Sequence, residues 1–225
     1  MNHKDLRTLL VLLALIGFVC RPALAHALED DLDGDLPELV TSDRLYRKGR
    51  ISFQFMTGIL FAHRYLLQTQ RQNIDYVQTN LRFGWMLNTP SKEVWILRGN
   101  FEALFEATYS KITEGFGNYL CGLTALIRYN FVRPDARLVP YFQMGTGIVY
   151  TDAYRDMTQK LIGQSIEFTP QGSVGLRCLL AKNWSFDAEF MYHHISNAGL
   201  DERNIGVNAL GGFVGFTYLF DKPWG

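Results

Sequence analysis

The chain has 225 residues, 22 basic and 22 acidic side chains, a formal net charge of zero, and 16 Phe, 11 Tyr and 4 Trp. That balance excludes the basic footprint of a nucleic-acid-binding protein. Three cysteines are too few for a disulfide framework.

Residues 1–25 read as a secretory signal peptide. Lys4 and Arg7 form the positive n-region, Leu9 to Cys20 the apolar h-region, and Ala23-Leu24-Ala25 the cleavage site. Cleavage removes Lys4, Arg7, Arg21 and Asp5, leaving 19 basic and 21 acidic side chains. It also leaves Cys121 and Cys178 as the two cysteines. No later apolar run approaches the ~18 residues of a spanning helix. Residues 26–50 are acidic and irregular (Glu29, Asp30, Asp31, Asp33, Asp35, Glu38) and read as a solvated lead-in, with a short docking helix as the alternative.

Eight alternating segments follow, predicted as strands at about 51–61, 75–87, 94–108, 118–131, 138–150, 165–180, 183–197 and 207–220. Side chains alternate across a strand with period two. One face is apolar throughout, with Phe53, Phe55, Leu81, Phe83, Trp85, Leu123, Ile127, Phe216 and Tyr218. The other carries Gln54, Arg82, Glu102, Glu106, Arg128, Arg177, Asp187 and Glu189.

Alternation alone does not say which face is inside. A lipocalin-like barrel would turn the apolar face inward. Charges of both signs can pair inside a small barrel, whose interior eight strands leave just wide enough for side chains. Tight turns are expected near Asn88-Thr89-Pro90, Arg133-Pro134-Asp135 and Lys182-Asn183, with longer joins elsewhere, the short-and-long rhythm of outer-membrane barrels. The last strand, Gly215-Phe216-Thr217-Tyr218-Leu219-Phe220, carries a terminal aromatic pattern, followed by a short tail at 221–225. The expected fold is all-β: an eight-stranded antiparallel transmembrane β-barrel of the bacterial outer membrane. Cys121 and Cys178 fall on strands four and six, too far apart for a disulfide, and are expected to be free thiols.

The seventh strand ends unusually. Its even positions read Trp184, Phe186, Ala188, Phe190, Tyr192, then His194 and Ser196. An imidazole and a hydroxyl thus close the apolar face side by side, with Cβ atoms roughly 6–7 Å apart. That spacing suits a base and its nucleophile. His193 points the other way, into the barrel. With both chain ends periplasmic, His194 and Ser196 face the outer leaflet. His3 falls in the signal and His63 in a loop without near ligand partners, so no metal site is expected.

The stretch His194-Ile195-Ser196-Asn197-Ala198-Gly199-Leu200, followed by Asn204 and Gly206, resembles the active-site segment of PagL-type lipid A 3-O-deacylases, also called acyloxyacyl hydrolases. The export signal, the strand count and the place of this segment before the last hairpin agree with that resemblance. It implies hydrolysis of the ester-linked acyl chain at the 3-position of lipid A, without a metal or other cofactor. His194 would then be the base and Ser196 the nucleophile. Asn197, Asn204 and the N–H near Gly199 would be candidates to stabilise the oxyanion. The resemblance breaks at Asn208, where the family pattern carries a glutamate. Asn208 can still accept the imidazole N–H as third member, but without charge, and Asp201 or Glu202 could assist instead. Expected partners are lipid A or lipopolysaccharide as substrate and outer-membrane lipid, with a homodimer left open. The rival from another class is a non-enzymatic structural or adhesin-like barrel carrying a decayed site.

Overall fold

The computed structural model describes residues 42–62, 74–90, 97–181 and 183–220. A single helical turn, α1 (Ser42–Leu45), precedes β1 (Ile51–Ala62), β2 (Asp75–Met86), β3 (Asn100–Glu114), β4 (Tyr119–Asn130), β5 (Leu138–Thr151), β6 (Ile166–Phe168), β7 (Gln171–Ala181), β8 (Trp184–Ile195) and β9 (Val207–Leu219). All neighbours are antiparallel. β9 pairs with β1 and β4 with β5, so the sheet closes on itself.

β6 and β7 together are one barrel strand. The pairs Ile148↔Phe168 and Gly145↔Gln171 keep one register against β5 across the gap. Pro170 lies in that gap, and without an N–H it cannot donate to the ladder. The result is the expected closed eight-stranded antiparallel barrel.

Its faces are inside out relative to a soluble protein. Arg82, Arg128 and Arg177 are fully buried in the lumen. Arg82 pairs with Glu106 at 2.6 Å and Glu189 at 2.7 Å, Arg177 with Asp187 at 2.8 Å, and Arg128 with Glu102 at 3.4 Å. A buried charge is tolerated only when it is paired and hydrogen-bonded, and this network meets that condition. Outside, Trp85 is 58%, Phe105 53% and Phe216 49% exposed. A continuous apolar belt of this kind belongs in lipid. The protein is an outer-membrane barrel.

The lumen is apolar at both ends. Leu45, Tyr46, Met86, Val132, Val139, Leu179 and Leu219 form one cluster, so residues after Ser42 plug the end of the barrel at which β1 begins and β9 ends. Asn100 Nδ2 donates to the Tyr46 carbonyl at 2.9 Å and holds that plug. At the opposite, loop end, a larger cluster includes Met56, Leu60, Tyr76, Ile112, Val149, Leu161, Ile162, Ile195, Val207 and Phe213.

This loop-end cluster explains one departure from the expected strands. The third strand is not 94–108 but Asn100–Glu114. Above the lipid the polarity inverts: Ile112 is buried while Lys111 points out to solvent. A pattern sought as apolar outside therefore stops too early. The connection after β2 runs 87–99, longer than the expected tight turn, and the one after β3 is the short 115–118. No disulfide joins Cys121 and Cys178.

Candidate active site

β8 carries the alternation expected of it. Ser185, Asp187, Met191 and His193 are buried in the lumen, while Tyr192 and His194 lie on the outer face and are half-buried. His193 is held inside by the Tyr76 hydroxyl, 2.6 Å from its Nδ1. His63 lies outside the described residues.

His194 and Asn208 are direct partners across the β8–β9 ladder. Asn208 Oδ1 lies 2.7 Å from His194 Nδ1. An amide oxygen only accepts, so with Oδ1 toward the ring the imidazole proton belongs on Nδ1 and the lone pair on Nε2. The same Oδ1 accepts the Tyr192 hydroxyl at 2.6 Å, across the diagonal of the ladder. Tyr192 is a residue that sequence reasoning counted only as apolar face. Its signal was there: a phenol two positions before the histidine, on the same side.

Ser196 follows the end of β8 and is fixed by its backbone. It exchanges two hydrogen bonds with Phe168, Ser196 N–H to the Phe168 carbonyl at 3.1 Å and the reverse at 2.8 Å. His194 N–H donates to the Pro170 carbonyl at 3.0 Å. The strand interrupted by Pro170 thus grips both residues from one side.

Gly206 bounds the site on the other. A Cβ built there would lie 3.1 Å from His194 Cε1, 3.5 Å from Ser196 Cβ and 2.9 Å from the Ile195 carbonyl oxygen. The His194 ring edge and Ser196 Cβ thus both come within 3.5 Å of one point beside Gly206. Gly206 also has φ +76, a left-handed conformation that glycine adopts without strain.

The loop after Ser196 begins with a tight turn. Leu200 N–H donates to the Asn197 carbonyl at 3.1 Å, and both central residues, Ala198 and Gly199, have positive φ, at 55° and 84°. That is the signature of a type I′ turn. Asn197 is fully buried, and its amide is engaged at both ends: Oδ1 accepts the Gly199 N–H at 3.0 Å and Nδ2 donates to the Arg203 carbonyl at 3.1 Å. Neither Asn197 Nδ2 nor Gly199 N–H is thereby left for an oxyanion. Asn204 Oδ1 accepts the Asn197 N–H at 2.9 Å, which leaves its NH2 as the amide donor of the three. Asp201 Oδ1 accepts the Arg203 N–H at 2.9 Å, inside the loop.

Arg203, which the sequence did not single out, ties this loop to the one between β5 and β6. Its guanidinium donates to the carbonyls of Tyr154, Asp156 and Gly163, each at 3.2 Å. Ile205 and Gly206 N–H groups donate to Lys160 and Leu161 carbonyls at 3.2 and 3.0 Å. Two loops are thus welded beside the His194–Ser196 pair. Thr158 bonds hold the Asp156 carboxyl below its ordinary range, through hydroxyl and N–H together. Among the described residues no three His, Cys, Asp or Glu side chains gather as a metal centre.

A family model described as lipid A 3-O-deacylase (PagL) matches residues 75–217. The crystal structure of the outer membrane enzyme PagL is similar at 20% identity and a TM-score of 0.52, over 72% of this chain and 97% of that one. The crystal structure of Neisserial surface protein A is similar at 14% identity and a TM-score of 0.54, over 77% of this chain and 98% of that one. At these identities the two likenesses speak for the fold. No curated protein matches the chain.

Proposed function

The chain belongs to the PagL family of lipid A 3-O-deacylases, and from that premise we propose that it is an outer-membrane serine esterase that removes the 3-position acyl chain of lipid A through Ser196 and His194. Residues 1–25 are its export signal. The site faces the outer leaflet, where lipid A sits. The lumen is filled by side chains, so substrate reaches Ser196 from the lipid side and not through the barrel.

Acyl transfer then runs as follows. Ser196 Oγ attacks the ester carbonyl as His194 Nε2 takes its proton. The tetrahedral oxyanion accepts from the Asn204 NH2, preorganised by its other end on Asn197. His194 returns the proton to the departing sugar hydroxyl, leaving an acyl-serine. Water, activated by the same Nε2, releases the fatty acid. Asn208 acts through His194, holding the tautomer whose Nε2 can accept.

The observation that supports this reading best is the His194 Nδ1 to Asn208 Oδ1 contact at 2.7 Å, with Ser196 on the same side of Gly206. A decayed, non-enzymatic site is favoured by the neutral residue at 208. Mass spectrometry of lipid A from cells with and without the protein separates the two. A product lighter by one ester-linked hydroxyacyl chain supports the esterase, and an unchanged spectrum supports the inert barrel.

A further inference from the structure

A carboxylate beside a histidine can accept the imidazole N–H through either of two equivalent oxygens. An asparagine has one accepting end and one donating end. The His194–Asn208 pair alone cannot choose between them, because neutral imidazole matches either amide orientation by changing tautomer. With Oδ1 toward the ring, the proton is on Nδ1 and Nε2 is free. With Nδ2 toward the ring, Nδ1 accepts, the proton moves to Nε2, and the base is blocked.

Tyr192 breaks this symmetry. Its hydroxyl lies 2.6 Å from Asn208 Oδ1, on a face otherwise lined with apolar side chains such as Phe190, Leu210 and Val214. A phenol donates well, and here its proton has the amide oxygen as acceptor. Turning the amide over would take this acceptor from that proton, on a half-buried and mostly apolar face. We propose that Tyr192 is a positioning residue that sets the amide orientation of Asn208, and through it the His194 tautomer. The inference rests on the reading of Ser196 and His194 given above. It also explains how a neutral third member can serve: the tyrosine supplies the orientation that a carboxylate has by symmetry.

The test is a double-mutant cycle on the purified barrel with lipid A in mixed micelles, together with nitrogen-15 NMR of the His194 ring. Tyr192→Phe should lower kcat by about tenfold with KM changed by less than about twofold. In the Asn208→Asp background the same substitution should change kcat by less than about twofold, since a carboxylate needs no orienting. The His194 ring signals should move from the Nδ1–H to the Nε2–H pattern in Tyr192→Phe alone. Equal losses in both backgrounds, or an unchanged tautomer, would overturn the proposal. If Asn208→Asp is too slow to assay, the tautomer decides. Full activity in Ser196→Ala overturns the esterase reading itself, whereas an inactive Ser196→Ala with an unaffected Tyr192→Phe overturns the role of Tyr192 alone.

Discussion

Gly206→Ala probes the site without replacing any proposed functional group. Two effects follow from the structure. Holding alanine at φ +76 costs roughly 1–2 kcal/mol, because Cβ crowds its own carbonyl in the left-handed region. The new methyl also meets the Ile195 carbonyl at 2.9 Å and His194 Cε1 at 3.1 Å, both closer than comfortable contact. The imidazole must yield by a few tenths of an ångström away from the new methyl, which disturbs its placement beside Ser196. A misplacement of 1 Å at a reacting centre costs on the order of 100-fold, so about tenfold is expected for this smaller shift. Gly199→Ala is the control. Gly199 has a similar φ of 84°, but a Cβ there meets nothing within 4 Å. Both variants carry the left-handed strain, Gly206→Ala should lose more stability through its added clash, and Gly199→Ala should keep activity within about threefold of wild type, having strain without displacement. The assay is the rate of fatty-acid release from lipid A, normalised to folded barrel by the heat-dependent shift in gel mobility. Equal activity in the two variants would refute the packing of His194 and Ser196 around Gly206.

Further outcomes are expected. His194→Ala should abolish deacylation while His193→Gln, which loses the Tyr76 contact in the lumen, should act on barrel stability; the reverse result by the same rate and mobility assays would place the register one residue off. Asn208→Ala should lower kcat by about tenfold or more, as the imidazole loses its only direct restraint among the described contacts; wild-type rates would hand the third role to another residue. Asp152 accepts from the Asn118 N–H and Nδ2, each at 2.7 Å. Burial is the largest single effect and opposes its charge, but the hydrogen bonds from Asn118 and Tyr119 together outweigh it and depress its carboxyl. Its share of loop stability is therefore present above the unfolded carboxylate range and lost as pH falls through the depressed value. Protease cutting at the loop end should rise with acid in wild type and lose that pH dependence in Asp152→Asn.

The sequence carried the barrel because lipid and lumen impose opposite polarities on successive residues, and eight segments obey that rule. It carried His194 and Ser196 for the same reason: two polar groups break an apolar face. It misplaced the third strand because Ile112 and Lys111 follow the rule of water, not of lipid, once β3 rises beyond the belt. Its oxyanion candidates were sorted by contacts no local pattern reveals. Asn197 and Gly199 bind each other, and Asn197 also holds Arg203, seven residues beyond Ser196. Arg203 itself reads as a surface cation until its three carbonyl partners from the β5–β6 loop are placed beside it.

The central claim is that Ser196 Oγ attacks the acyl ester. Its most direct test is Ser196→Ala, assayed as hydroxy fatty acid released from lipid A by purified, folded barrel. The hydroxyl sits at the rim and adds little to folding, so the variant should insert normally. Release should fall by on the order of 1,000-fold or more, as when a nucleophile is removed from a triad. Turnover at the wild-type rate by folded Ser196→Ala would contradict the account.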